Sequence, residues 1–143
     1  MSILLKSITL TVFVSVFLLM SACGTGQAAL EAPEFDPLPE GATVYIVADE
    51  MPEMIGGQES LYSNLEYPLS LRNRGVEGRT MVSIIVGPDG EIAQLEVLGS
   101  SGNRQLDVAA LRAVAETRFT PGVKDGEAVY VQMVQPVVFS RSR

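Results

Sequence analysis

Apolar and polar positions alternate with period two over residues 79–86, where Thr80, Val82, Ile84 and Val86 fall on one side and Met81, Ser83 and Ile85 on the other. That spacing predicts a strand with both faces partly covered. Gly87-Pro88-Asp89-Gly90 then supplies the residue types of a tight turn, and residues 91–98 alternate again, which predicts a β-hairpin. Past the cap residues Ser100, Ser101 and Asn103 the period lengthens. Leu106, Ala110, Ala113, Val114 and Thr117 recur at helical spacing, and their small side chains allow a helix to approach a sheet closely. Phe119-Thr120-Pro121-Gly122 breaks that helix, Lys124-Asp125-Gly126-Glu127 makes a turn, and residues 128–139 read as a long final strand. Pro136 inside it cannot donate a ladder hydrogen bond, which predicts an edge position.

Upstream the pattern is weaker. Val44-Tyr45-Ile46-Val47 is a short β-rich run, and residues 51–57 form a loop in which Gly56 and Gly57 permit unusual backbone angles. Residues 58–65 predict a short helix. Pro68 suits the first turn of a second one, which Gly75 is placed to end. The order predicts a small α+β domain over residues 44–143, a small antiparallel sheet with helices packed on one face.

The first 43 residues differ in kind. Residues 1–22 carry one basic residue, Lys6, then an uncharged apolar run over residues 8–20, then Ser21 and Ala22 directly before Cys23. This is the outline of a signal peptide. Leu19-Met20-Ser21-Ala22-Cys23 resembles the lipobox of bacterial lipoproteins, which implies cleavage before a lipidated Cys23 and a membrane attachment through that lipid. The alternative is an uncleaved anchor, for which the strongly apolar stretch is about 15 residues against the roughly 20 that span a bilayer. Gly24 in place of Asp lacks the retention signal known from enteric bacteria, so the outer membrane is expected ahead of the inner one. Residues 23–43 read as the lipidated N-terminus and a flexible tether with three prolines, three glycines, four acidic residues and no basic one. As a random coil of about 20 residues it spans roughly 25 Å, which keeps the domain near its membrane.

Composition narrows the chemistry. The chain of 143 residues has no His, no Trp and a single Cys, which removes His-based proton relays, Cys/His zinc sites and any intrachain disulfide. A net charge of −7 without a Lys/Arg run argues against nucleic acid. Asp89 and Asp125 sit in turn sequences and Asp107 in a first helical turn, so none suggests a catalytic carboxylate pair. No enzyme activity, metal or cofactor is expected.

Several markers recur in a specific order: Met51-Pro52-Glu53 with Gly56-Gly57, Tyr67-Pro68, Gly75-Val76-Glu77-Gly78, Asp89-Gly90 and Ser100-Ser101. Leu106-Asp107, Ala110-Leu111, Val114, Phe119-Thr120-Pro121-Gly122, Gly126 and Pro136-Val137-Val138-Phe139 complete the set. Together they resemble the C-terminal domain of the TonB family, the energy transducers of bacterial outer-membrane uptake, over nearly all of residues 44–143. The resemblance implies a binding module that captures the TonB box, a short extended segment of an outer-membrane TonB-dependent receptor, against the last strand. A strand edge suits that role because its unpaired N–H and C=O groups can be completed by a peptide. The implied partner-binding residues are Val129, Tyr130, Val131, Gln132, Met133, Val134 and Gln135, with Tyr67 and Pro68 from the family's Tyr-Pro motif. Val129, Val131 and Met133 are expected on one face, and Tyr130, Gln132 and Val134 on the other.

The chain departs from a standard transducer, which keeps a transmembrane helix, often with a His that meets the inner-membrane proton motor, and a long Pro-rich stretch. Contact with motor subunits is expected only for an uncleaved leader. The competing reading is a lipid-anchored assembly module that binds a periplasmic protein, or itself as a homodimer, through the same edge and without energy transduction.

Overall fold

The computed structural model describes residues 31–141; the expected signal peptide over residues 1–22, Cys23 and the start of the expected tether lie outside them. Eight elements follow in order: β1 (Val44–Tyr45), α1 (Gly57–Ser63), α2 (Leu69–Asn73), β2 (Gly78–Val86), β3 (Ile92–Gly99), α3 (Arg104–Ala115), β4 (Gly122–Lys124) and β5 (Glu127–Phe139). The class is α+β, as the alternation of periods implies. Strand order in the sheet is β1-β5-β2-β3, with β4 pairing β5 off that path.

The β2–β3 hairpin forms where the turn residues predict it. Gly90 takes φ 81°, a left-handed conformation, and a Cβ there would run into the carbonyl of Phe119. The Asp89 side chain accepts from the Glu91 N–H at 2.9 Å and the Gly87 N–H donates to the Glu91 carbonyl at 2.8 Å, closing the turn. Register shifts between Met81 and Val82 and between Ile85 and Val86 interrupt the pairing of β2 with β3, whereas β2 pairs β5 without a break from Gly78–Phe139 to Val86–Val131.

All three helices pack on one face. Leu61 of α1, Leu71 of α2, and Leu106, Ala110, Ala113 and Val114 of α3 are buried with Val82, Ile84, Val86, Val137 and Phe139 of the sheet. The helical face read from the spacing is therefore the one that packs. Asn103 caps α3 by accepting from the Gln105 N–H at 2.9 Å, which satisfies one of the orphan donors of the first turn.

Three features depart from the sequence reading. The sheet is antiparallel except at β1, which pairs β5 in parallel through Val44–Tyr130 and Tyr45–Val131. A parallel pair needs no turn between its strands, so no local signal announces it. The run from Val44 to Val47 is also cut to two paired residues: Ile46 and Val47 bend away and stand 75% and 74% exposed. Between the helix break at residues 119–122 and the turn at residues 124–127, the chain also forms the small strand β4, which pairs Gly122–Val129, Val123–Ala128 and Lys124–Glu127.

Candidate strand-addition site

The last strand has different neighbours along its length. On one edge β2 pairs residues 131–139, and on the other β1 pairs only Tyr130 and Val131. Among the described residues no strand pairs that second edge over residues 133–139.

Pro136 fixes which groups point into the open edge. Its partner in the β2 ladder is Met81, within an unbroken register, so the position that lacks an N–H must be one whose backbone faces away from β2. N–H and C=O of one strand residue point to the same side, and sides alternate. Val134 and Val138 therefore offer both groups to the open edge and Pro136 its carbonyl alone, whereas the Gln132 N–H faces Tyr45 of the parallel β1 pair and leaves only the Gln132 carbonyl to that edge. Tyr130 has the same parity, which agrees with its pairing to Val44 of β1.

Side chains divide by the same period. Val131 and Gln135 are buried and Met133 packs on the core, whereas Tyr130 and Gln132 are half-buried on the other face and Val134 is 41% exposed. Val129, in step with the first group, is half-buried. The Gln132 amide donates to Ser83 Oγ at 2.9 Å across the helix-free face. Buried Gln135 satisfies its amide on the Pro136 carbonyl at 3.0 Å.

Tyr67 and Pro68 sit elsewhere on the strand. The Tyr67 ring meets Phe139 edge-on, with centroids 5.4 Å apart and planes at 69°. Its hydroxyl donates to the Val76 carbonyl. They flank the Phe139 end of β5, whereas Val129, Tyr130 and Val131 lie at the β1 end. The structure thus does not bring the Tyr-Pro pair against residues 129–131.

What holds β1 on the strand was not visible in the sequence. The stretch after β1 runs beside residues 118–123: the Glu50 and Val123 amides exchange hydrogen bonds, the Thr120 N–H donates to the Glu53 carbonyl, and Thr120 Oγ1 accepts from the Glu53 N–H. Asp49 clasps the β4–β5 turn, accepting from the Asp125 N–H at 2.7 Å and pairing with Lys124 at 3.3 Å. The Asp125 amide first, and then Lys124, holds the Asp49 carboxyl below its ordinary value. Met51-Pro52-Glu53 and Phe119-Thr120-Pro121-Gly122, far apart in the chain, are thus one contact.

A second polar cluster organises the opposite end of the sheet. Asp107 accepts from Thr80 Oγ1, Ser101 Oγ and the Ser101 N–H on one oxygen, each at 2.8 Å, and from Ser100 Oγ at 2.6 Å on the other. Burial pushes this carboxyl up, but the hydrogen bonds outweigh it and hold it below its ordinary value. Ser100-Ser101 ahead of a helix bearing Asp107 was the available signal, although Thr80 comes from a distant strand. Every donor here is spent on structure. Among the described residues no group of three or more metal-ligating side chains converges, and no helix is long and apolar enough to cross a membrane.

Residues 63–140 match the family described as the Gram-negative bacterial TonB protein C-terminal. The chain is similar to Protein TonB of Vibrio cholerae, 30% identical over 100 residues that cover 70% of this chain and 39% of that protein. It is also similar to Protein TonB of Pseudomonas aeruginosa, 36% identical over 73 residues, 51% of this chain and 21% of that protein. The matched region is well under half the length of either relative. Among solved structures, the TonB C-terminal domain of Helicobacter pylori superposes with a TM-score of 0.49 at 27% identity, over 60% of this chain and 90% of that one.

Proposed function

The chain belongs to the TonB C-terminal domain family, and from that premise we propose that it serves outer-membrane transport by capturing an extended receptor segment along the free edge of β5. The observation that carries this reading is the edge beyond the β1 pair, unpaired among the described residues over 133–139, where Val134 and Val138 present both backbone groups outward. A peptide added there gains main-chain hydrogen bonds, and exposed Val134 with half-buried Tyr130 and Gln132 supplies side-chain contacts on the accessible face. Val131, Met133 and Gln135 act from the core side, where they pair β2 and are turned away from the open edge's accessible face, and Val129 acts by pairing β4. Tyr67 and Pro68 enter the proposal as the support of the strand's Phe139 end.

Lipidation of Cys23 completes the reading: a chain anchored by acyl groups in the cell envelope, facing the periplasm, with the short tether holding the domain near the outer membrane. The test is recovery of the natively expressed, C-terminally tagged chain from detergent-solubilised envelopes, with mass spectrometry of its partners and its mature N-terminus. Receptor barrels are expected in the parent preparation, several-fold depleted with Val134→Pro, together with an acylated Cys23. Barrels recovered equally with both chains sink the edge as the contact. Recovery of folded periplasmic proteins or further copies of the chain, without barrels, replaces uptake by the assembly reading. An intact Met1 with proton-motor subunits replaces the lipid anchor by an ordinary transducer.

A further inference from the structure

We propose that the groove along α3 is a seat for the chain's own proline-rich segment, residues 32–39, pinned there by Arg112, so that this stretch is a strap on the domain in place of a free tether. Pro33, Pro37 and Pro39 bias the segment towards polyproline II, a conformation with no internal hydrogen bonds that leaves its carbonyls available. Such segments are recognised by apolar grooves with an aromatic wall and a donor for the carbonyls. The helical side of this domain has those parts. An open groove of about 1090 Å³ is bounded by Tyr67, Pro68, Leu69, Val108 and Ala109 on the domain side and by Pro33 of the segment.

Arg112 is the pin. Its Nε and Nη2 both donate to the Glu31 carbonyl, at 3.3 and 3.1 Å, a fork that fixes the point where the chain meets α3. Beyond that point Pro33, Phe35 and Leu38 are half-buried, whereas Ala32, Glu34, Asp36 and Pro37 are exposed. The segment thus already meets the groove at Pro33, with Phe35 and Leu38 partly withdrawn from solvent and the carboxylates of Glu34 and Asp36 in water. Leu69, 70% exposed beside the groove, is the apolar surface that a fuller seating would cover.

Charge selects the occupant. Glu66 and Glu116 also border the groove, so a carboxylate-rich peptide from solution meets like charge there. The chain's own segment avoids this by offering a backbone carbonyl to Arg112 and turning its acids outward, and covalent linkage gives it a high effective concentration. With residues 31–39 seated, the α3 face is the side of the domain drawn towards the anchor proposed above. The free edge of β5 is untouched by this contact, so the strap stands or falls separately from receptor capture.

Backbone 15N relaxation of the full chain in detergent micelles tests the strap. Ala32, Glu34, Phe35, Asp36 and Leu38 are expected to show order parameters near the rigid value of about 0.85, falling below about 0.6 in both Arg112→Ala and Leu69→Asp while the β2 and β5 resonances hold their positions. Leu69 is exposed, so its variant reads out seating even where Arg112→Ala perturbs folding. Flexible values in the parent chain overturn the proposal, as do rigid values that survive both substitutions. Ordering that appears only as concentration rises assigns the groove to a second copy's segment and overturns the strap within one chain.

Discussion

Tyr67 grips Phe139 edge-on at 5.4 Å while its hydroxyl is donated to the carbonyl of Val76, so one side chain ties the loop before α2 and the entry to β2 to the end of the last strand. Both halves of the residue are used, its apolar ring and its polar tip. Tyr67→Phe is expected to keep the ring contact, lose the hydrogen bond and cost about 0.5–1.5 kcal/mol in urea unfolding. A double-mutant cycle between Tyr67→Leu and Phe139→Leu should return a coupling of about 0.5–1.5 kcal/mol. Additive single effects would show that the two rings do not support one another.

The Asp107 cluster predicts an acid limb of stability. Its carboxyl titrates lower in the folded chain than in the unfolded one, so the stabilisation is complete above the unfolded value near pH 3.9 and drains away as pH falls through the folded value. Asp107→Asn cannot accept at both positions and leaves hydroxyl donors of Thr80, Ser100 or Ser101 unmatched, for a cost of about 1–3 kcal/mol at neutral pH. Chemical denaturation between pH 2 and 7 should show a flatter acid limb in the variant. Parallel curves would place the acid sensitivity in another group.

Gly122 is buried where β4 pairs the last strand, and a Cβ at this position would collide with the Val131 side chain. Gly122→Ala is therefore expected to destabilise by about 1–3 kcal/mol through overpacking. Adding Val131→Ala should recover part of the loss, because it removes the methyl that is struck. No recovery in the thermal midpoint would mean that the Pro52 ring, 3.2 Å from the same Cβ position, and not Val131, sets the limit.

Val134→Pro separates the open edge from the fold. The backbone of this residue faces away from β2, so the substitution removes a donor from the free edge and none from the ladder. Titration with an extended receptor N-terminal peptide should weaken about 2–10-fold, the equivalent of one net hydrogen bond. The urea midpoint should move little, and a large loss of stability with unchanged affinity would reverse the assignment of the two edges.

Much of the fold was legible because it is set by periods and turn chemistry that act over a few residues. The β2–β3 hairpin, the face of α3 that packs, the helix end at Gly75 with its φ of 68° and the edge significance of Pro136 all follow from such local patterns. The candidate binding strand was legible for the same reason, since alternation along β5 separates Tyr130, Gln132 and Val134 from Val129, Val131 and Met133 before any contact is known.

Pairings across the chain were not legible. The placement of Val44 and Tyr45 beside Tyr130 and Val131 rests on residues 49–55 binding residues 118–123, and no local pattern encodes a partner that remote. The fate of Tyr67 is of the same kind: its type is readable in sequence, but only packing decides that its ring goes to Phe139 and its hydroxyl to Val76.

The sequence by itself determined the β2–β3 hairpin, α3 and the last strand, their inward faces and the position, Pro136, that cannot donate, because backbone geometry and hydrophobic period are properties of neighbours. Only the tertiary structure decided how much of β5 stays free, which polar groups are spent on Asp107, and where Arg112 meets the Glu31 carbonyl. Those outcomes depend on which distant groups compete for the same hydrogen bonds and buried surface, and that competition is settled only when the chain closes on itself.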